Sequence, residues 1–369
     1  MNQIKTSLDF FEPNQRLTIK KEFDVNKVEK ILVQGIDQLG GLAMSSPFFR
    51  ELRKAFPQAY IVNLVGPLTY GIMKNCPYID DVWLFHKKES FKVAKRIKKI
   101  GFDLTFLAAG SLRAALIAYL GKIPNRVGFD NDGTGRLLTI QLHMPLHSRY
   151  RPENMFDMLR AIGISPKGVY DREIWISGQD IEYGEAWAEV NKPQGTKIFA
   201  FNPFSTDPKR RWTNKGWQEL LQGLKAIGIK SIMMVAPNEV EGSKKLLQEW
   251  QQEDVPIQTH SVTNTAAVLE HVDFVMGPES GFIHMALATK KAHVIALFNV
   301  LPPQSTFPVH DKRHVGLIRD DLHCAPCYLY KFKDQCPYNL ECMSGIDSKR
   351  VLDAIDTFSK SDELDATSK

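Results

Sequence analysis

The stretch Val275-Met276-Gly277-Pro278-Glu279-Ser280-Gly281-Phe282-Ile283-His284-Met285-Ala286-Leu287-Ala288 decides how the chain is read. An apolar run from Asp273 to Met276 reads as a buried strand. It breaks at Gly277-Pro278, and a small-residue helix follows from about Ser280. Glu279, Ser280, Gly281 and His284 are thereby set at the carboxyl end of a strand and in the first turn of a helix. Amides of a first helical turn lack intrahelical acceptors, and the helix dipole favours an anion there. Open α/β sheets bind their ligands at such an edge. The pattern points to a phosphate-bearing ligand, and among those to a nucleotide.

Outward from this stretch, short apolar runs alternate with helical patterns. Strands are expected at Lys30 to Gln34, Tyr60 to Val65, Val82 to Phe85, Leu104 to Leu107 and Arg126 to Phe129. Helices are expected at Leu42 to Phe56, Phe91 to Ile100 and Leu112 to Leu120. This is the rhythm of a parallel sheet covered on both faces. It loosens between about Gln141 and Gly195, where Asn191-Lys192-Pro193-Gln194-Gly195 is a breaker cluster and the expected linker. A second alternation starts at Lys197, with strands at Ile198 to Phe201, Ser231 to Val235, Phe274 to Met276 and Val294 to Phe298. Thr213 caps an intervening helix and Gly228 stops it. The fold class is therefore α/β, with two Rossmann-like domains expected to face each other across a cleft. Expected boundaries are 1–29 for an N-terminal extension, 30–185 and 196–350 for the two domains, and 351–369 for a C-terminal helix and tail.

Composition narrows the function. A chain of 369 residues with 43% hydrophobic and 24% charged content is an ordinary globular one. A net charge of +5 suits an anionic ligand or an acidic membrane face. No dense basic stripe with interleaved aromatics is present, so no nucleic-acid partner is expected. No window approaches the ~18 apolar residues of a spanning helix, and Met1 to Lys21 is unlike a secretory signal. A cytoplasmic protein is expected.

Three further motifs carry chemistry. After the strand ending at Phe201, the loop Asn202-Pro203-Phe204-Ser205-Thr206-Asp207-Pro208-Lys209-Arg210-Arg211-Trp212 offers two hydroxyls and three cations, a set able to hold a diphosphate. Read plainly, it is also a solvated basic loop. Near the N-terminus, Val33-Gln34-Gly35-Ile36-Asp37-Gln38-Leu39-Gly40-Gly41-Leu42 with Pro47 places Asp37 and a Gly40-Gly41 turn ahead of a helix. Late in the chain, Cys324, Cys327, Cys336 and Cys342 are spaced for a tetrahedral metal knuckle, zinc by default or iron. One or two local disulfides, or four free thiols, are the alternatives. Cys76 reads as a lone buried apolar residue, and Asp130-Asn131-Asp132-Gly133 as a turn.

Together and in this order, the four motifs resemble glycosyltransferase family 9, the heptosyltransferase family, over about residues 30 to 350. The resemblance implies a GT-B architecture and an inverting transfer of heptose, or a related sugar, from an ADP-sugar with no cofactor needed for catalysis. It implies a donor site in the C-terminal domain at Ser205, Thr206, Lys209, Arg210, Glu279, Ser280, Gly281 and His284. Arg210 stands where the family has a phosphate-contacting lysine, and Glu279 where it has a sugar-associated aspartate. The acceptor side would include Gly40 and Gly41. It would take a cell-envelope glycan or glycolipid such as lipopolysaccharide core, with peripheral contact at the inner membrane. The family's general base is an aspartate at the position of Gly41. Asp37 is then the candidate base, with the Asp130–Asp132 turn a weaker one. A pseudo-glycosyltransferase that binds nucleotide sugar without turnover, or a nucleotide-sugar epimerase, are the rival readings.

Overall fold

The computed structural model describes residues 17–21, 24–108, 110–131, 133–143, 150–168, 170–327 and 336–367. The chain divides into two compact units between Trp175 and Ile176.

The first unit runs β1 (Leu17–Ile19), β2 (Lys30–Gln34), α1 (Leu39–Ala55), β3 (Tyr60–Val65), α2 (Pro67–Met73), β4 (Asp81–Leu84), α3 (Ser90–Ile100), β5 (Leu104–Leu107), α4 (Leu112–Leu120), β6 (Asn125–Asp130), β7 (Ile140–His143) and α5 (Arg151–Arg160). Its sheet has the order β1-β7-β6-β5-β2-β3-β4. All pairs are parallel except β1, which lies antiparallel along β7 with Thr18 opposite Gln141. The central strands are buried on both faces, so they read as unbroken apolar runs: Ile31, Leu32 and Val33 are fully buried.

Local chemistry sets the helices. Pro47 sits inside α1 and cannot donate to the carbonyl of Ala43. The Ser46 hydroxyl donates to that carbonyl instead, at 2.8 Å. The helix begins at Leu39, so Gly40 and Gly41 form its first turn and not a turn ahead of it. α3 buries Val93, Ala94 and Ile97, and ends where Gly101 takes φ +71° and donates to the Ile97 carbonyl at 3.0 Å.

The second unit runs α6 (Gly178–Asn191), β8 (Ile198–Phe201), α7 (Asn214–Ala226), β9 (Lys230–Met234), α8 (Val240–Glu249), β10 (Ile257–Gln258), α9 (Val262–Leu269), β11 (Phe274–Pro278), α10 (Gly281–Thr289), β12 (His293–Leu297), α11 (Pro303–Thr306), β13 (His314–Leu317), α12 (Glu341–Ser344) and α13 (Ser348–Thr367). Its sheet is parallel throughout, in the order β10-β9-β8-β11-β12-β13. Ser177 and Asp180 close a capping box on α6, which packs against α9. The breaker cluster at 191–195 thus lies inside this unit, between α6 and β8. Thr213 caps α7 by accepting from the Gly216 amide at 3.0 Å, and Gly228 follows the helix with φ +75°. Phe201, Trp217 and Trp250 stack through the core of this unit, with ring centroids 5.1 and 5.8 Å apart. No helix among the described residues is long and apolar enough to cross a membrane.

Candidate functional site

In the second unit the strand order reverses between β8 and β11, which are neighbours although far apart in sequence. The loops leaving their carboxyl ends carry the two motifs expected to hold a donor, at the edge where open α/β sheets bind ligands. Asn202 pins the first loop. Its amide donates to the Met276 carbonyl at 3.1 Å, and its side chain donates to the Met234 carbonyl at 2.8 Å. Its Oδ1 accepts from the Phe204 amide at 2.8 Å. Gly277 permits this closure, since a Cβ there would stand 2.7 Å from the Asn202 carbonyl oxygen.

Arg210 reaches from the first loop to the second. Its Nη1 donates to the Glu279 carbonyl at 3.2 Å and to the Glu279 carboxylate. The other oxygen of that carboxylate is bound to Nε2 of His284 at 2.9 Å, and His284 is only 2% exposed. His284 is thus paired with Glu279. Two buried polar atoms in this cluster have no hydrogen-bond partner, Arg210 Nε and Ser280 Oγ. Buried polar atoms are normally satisfied, so these two stand out in the cluster. Ser280 is the N-cap of α10 yet makes no side-chain cap, and Gly281 opens the helix.

The remaining loop residues are placed differently. Ser205 stabilises the loop: its hydroxyl accepts from the Asp207 amide at 3.4 Å and its carbonyl from Arg211 at 3.1 Å. Thr206 is exposed. The Lys209 carbonyl accepts from the side chain of Asn299 at 2.6 Å, which fixes the loop to the end of β12. Asn299 was not singled out from sequence; its position directly after a buried strand was the available signal.

The first unit carries a cavity of about 510 Å³ lined from the carboxyl ends of β2, β3 and β4 and from α4. Its lining includes Gln34, Asp37, Gly66, Lys87, Lys88 and Arg113. Asp37 is exposed and its Oδ1 accepts from the Gly66 amide at 2.8 Å. Gln34 Oε1 is buried without a partner. Gly40 and Gly41 do not line the cavity. A Cβ on Gly41 would meet only the Cβ of Gln38, at 3.9 Å. Asp130 anchors its turn, accepting from the Gly135 amide at 2.9 Å and from Gln141 at 2.8 Å. Asp132 lies outside the described residues.

None of the four late cysteines is in a disulfide, nor is Cys76. Asn299 connects two of them: its carbonyl accepts from the Cys327 amide at 3.0 Å, and its side chain approaches Cys342 Sγ at 3.7 Å. A hydrogen bond from Cys327 lowers the Cys342 thiol's pKa and raises that of Cys327. Residues 328–335, between Cys327 and Cys336, lie outside the described residues. Four thiols are the right donor chemistry for a soft metal. Among the described residues, however, no group of three or more His, Cys, Asp or Glu side chains is placed to hold one.

Comparison with known proteins bears on the fold and the family. The family model described as glycosyltransferase family 9 (heptosyltransferase) matches residues 90–338, well over half of the chain. Lipopolysaccharide heptosyltransferase 2 of Escherichia coli is 21% identical over 315 residues, spanning 78% of this chain and 87% of that protein. Among solved structures, a family 9 glycosyltransferase from Veillonella parvula superposes with a TM-score of 0.76 at 18% identity, covering 89% of this chain and 97% of the other. The ADP-heptose lipopolysaccharide heptosyltransferase II of E. coli gives a TM-score of 0.73 at 17% identity, covering 90% and 99%. These matches establish the α/β fold as GT-B. The phosphate-suited strand edge of the second unit and the family match agree, and the chain belongs to glycosyltransferase family 9, the heptosyltransferase family.

Proposed function

We propose that the protein transfers a heptose, or a closely related sugar, from an ADP-sugar to a cell-envelope glycan such as lipopolysaccharide core, with inversion and without a catalytic metal. The observation that carries this reading is the Arg210–Glu279–Ser280 cluster, with its two unpartnered buried polar atoms. Arg210, Ser280 and the first amides of α10 hold the diphosphate, with Ser205, Thr206 and Lys209 on the same loop. Glu279, braced by His284, meets the sugar. In the reaction, an acceptor hydroxyl attacks the anomeric carbon and the bond to the diphosphate breaks. ADP leaves with the bonding electrons, stabilised by Arg210 and the helix terminus. Asp37 takes the hydroxyl proton. The acceptor lies in the cavity of the first unit, where Asp37 is among the lining residues.

The names of the relatives support the donor and acceptor classes. A place on the cytoplasmic side of the inner membrane follows from such an acceptor. A structural zinc or iron at Cys324, Cys327, Cys336 and Cys342 belongs to the same proposal, and elemental analysis of the purified protein tests it. Gly41 favours a second reading, a nucleotide-sugar binder with no turnover, because the family's base is missing there.

Mass spectrometry of a heptose-deficient core glycolipid incubated with ADP-heptose separates the readings. Transfer predicts one added heptose per acceptor and an equal release of ADP. Tight nucleotide binding with neither product would establish the binder, and no nucleotide binding would end both readings.

A further inference from the structure

We infer that the α3–α4 face of the first unit is a docking surface for an anionic lipid bilayer. Two independent observations meet there. The first is charge. Residues 86–122 contain nine Lys and Arg against Glu89 and Asp103, a net of +7, whereas the whole chain carries +5. The rest of the chain therefore carries a net −2, although residues 192–230 hold a second basic run, eight Lys and Arg against Asp207 and Glu219. α3 alone holds Lys92, Lys95, Arg96, Lys98 and Lys99 with no acid. Lys92 pairs with Glu89 at 3.3 Å, and Arg96 lies over the Trp83 ring at 3.6 Å. Lys95, Lys98 and Lys99 are exposed and have no acidic partner among the described residues.

The second observation is the outer face of α4. A helix lying on a parallel sheet normally shows water a charged face. α4 has the sequence LRAALIAYL, and Arg113 is its sole charged residue. It buries Ala115, Ile117 and Ala118 and leaves a stripe of Leu112, Leu116, Tyr119 and Leu120 exposed at 53, 44, 53 and 41%. That spacing is one helical face. α4 packs beside α3, so the apolar stripe adjoins the lysines. Phe91, at the start of α3, is 76% exposed.

Charge complementarity selects the occupant. A second copy of the chain could cover the leucines, but it would set +7 against +7. A bilayer containing anionic lipid supplies the apolar layer and the negative charge in one surface. The face also adjoins the cavity of the first unit. Lys87 and Lys88 before α3, and Arg113 in the first turn of α4, all belong to the basic segment and line the cavity. Resting on the glycolipid-acceptor reading, this arrangement would bring a membrane-embedded acceptor to the cavity without leaving the lipid.

Co-sedimentation of the full chain with phosphatidylcholine vesicles, with and without phosphatidylglycerol, tests the surface. Binding is expected only to the anionic vesicles and is weakened by salt. The triple variant Lys95→Glu, Lys98→Glu, Lys99→Glu should bind at least a hundredfold more weakly, given about fivefold per basic residue at an anionic surface. Leu116→Ser with Tyr119→Ser should also release the chain, with the circular-dichroism melting curve of the wild type retained in both variants. Absence of vesicle binding, or variants that bind like the wild type, would overturn the proposal. So would self-association lost in the Leu116→Ser variant without any vesicle binding. The ADP-induced shift in melting temperature, measured without vesicles, reports on the donor site alone and separates failure of the docking surface from failure of the proposed function.

Discussion

Arg210 and Glu279 are 69 residues apart in sequence, yet the guanidinium binds both the carboxylate and the carbonyl of Glu279, the latter at 3.2 Å. Parallel pairing of β8 with β11 brings them together. On the proposed donor reading the pair sets up a competition, because a diphosphate arriving at Arg210 would have to share it with a carboxylate.

Neutralising that carboxylate should reveal the competition. Glu279→Gln keeps an acceptor for His284 and removes the negative charge beside Arg210. ADP should then bind more tightly, by roughly fivefold for the loss of about 1 kcal/mol of ion pairing. Transfer of the sugar should fall, since the residue assigned to the sugar has changed. Titration calorimetry with ADP and initial-rate kinetics with ADP-heptose check the two halves. Weaker ADP binding would show that Glu279 positions Arg210 and does not compete for it.

Asp37→Asn should lower kcat by about 10² to 10⁴, the usual worth of a general base, and leave ADP affinity unchanged. Asparagine retains an oxygen for the Gly66 amide, so folding should be spared. Gly41→Asp provides the contrast. The site has room, and an acid in the first turn of α1 suits the helix dipole by about 0.3–1 kcal/mol. If Asp37 serves as base, Gly41→Asp changes kcat little. A gain above a hundredfold would show that the missing family aspartate limits the natural chain.

Gly277→Ala should destabilise the second unit by about 1–3 kcal/mol, because the added Cβ meets a backbone oxygen with no freedom to move aside. Urea unfolding measures it. The same variant should weaken ADP binding, since Asn202 and the Arg210 loop must shift. Wild-type values on both counts would mean that the close approach of the loop to β11 is dispensable.

Burial pushes the Cys76 thiol from about 9 up to about 12. The folded chain therefore keeps a proton that the unfolded chain releases between pH 9 and 12, and this residue's contribution to stability falls as pH rises through that window. At pH 8 a thiol reagent should leave Cys76 unmodified in the folded protein and label it only in denaturant, as peptide mapping would show. Rapid native labelling at Cys76 would contradict the burial.

Much of this fold was legible because parallel strands buried on both faces cannot hide. β2, β3, β5 and β8 have the limits that their apolar runs imply. β1 and β7 were not legible in the same way. β1 is three residues long and half exposed, and its partner lies more than a hundred residues away. The start of α1 was misplaced because Gly40-Gly41 reads as a breaker, while tertiary packing buries Gly40 and holds the helical turn. Around the donor loops, composition pointed to the residues but not to their wiring. That Arg210 and His284 share the carboxylate of Glu279 depends on strand order. The cavity of the first unit draws on the ends of β2, β3 and β4 and on α4, so no contiguous motif announces it.

Titration of ADP into the metal-free protein in the presence of EDTA, with the Arg210→Ala variant alongside, tests whether Arg210 holds the diphosphate. Saturable binding at one site per chain is expected, with a loss of about tenfold or more in the variant, in line with the ~1.5–3 kcal/mol of a charged hydrogen bond. Equal affinity in the two proteins, or no binding at millimolar ADP, would contradict it.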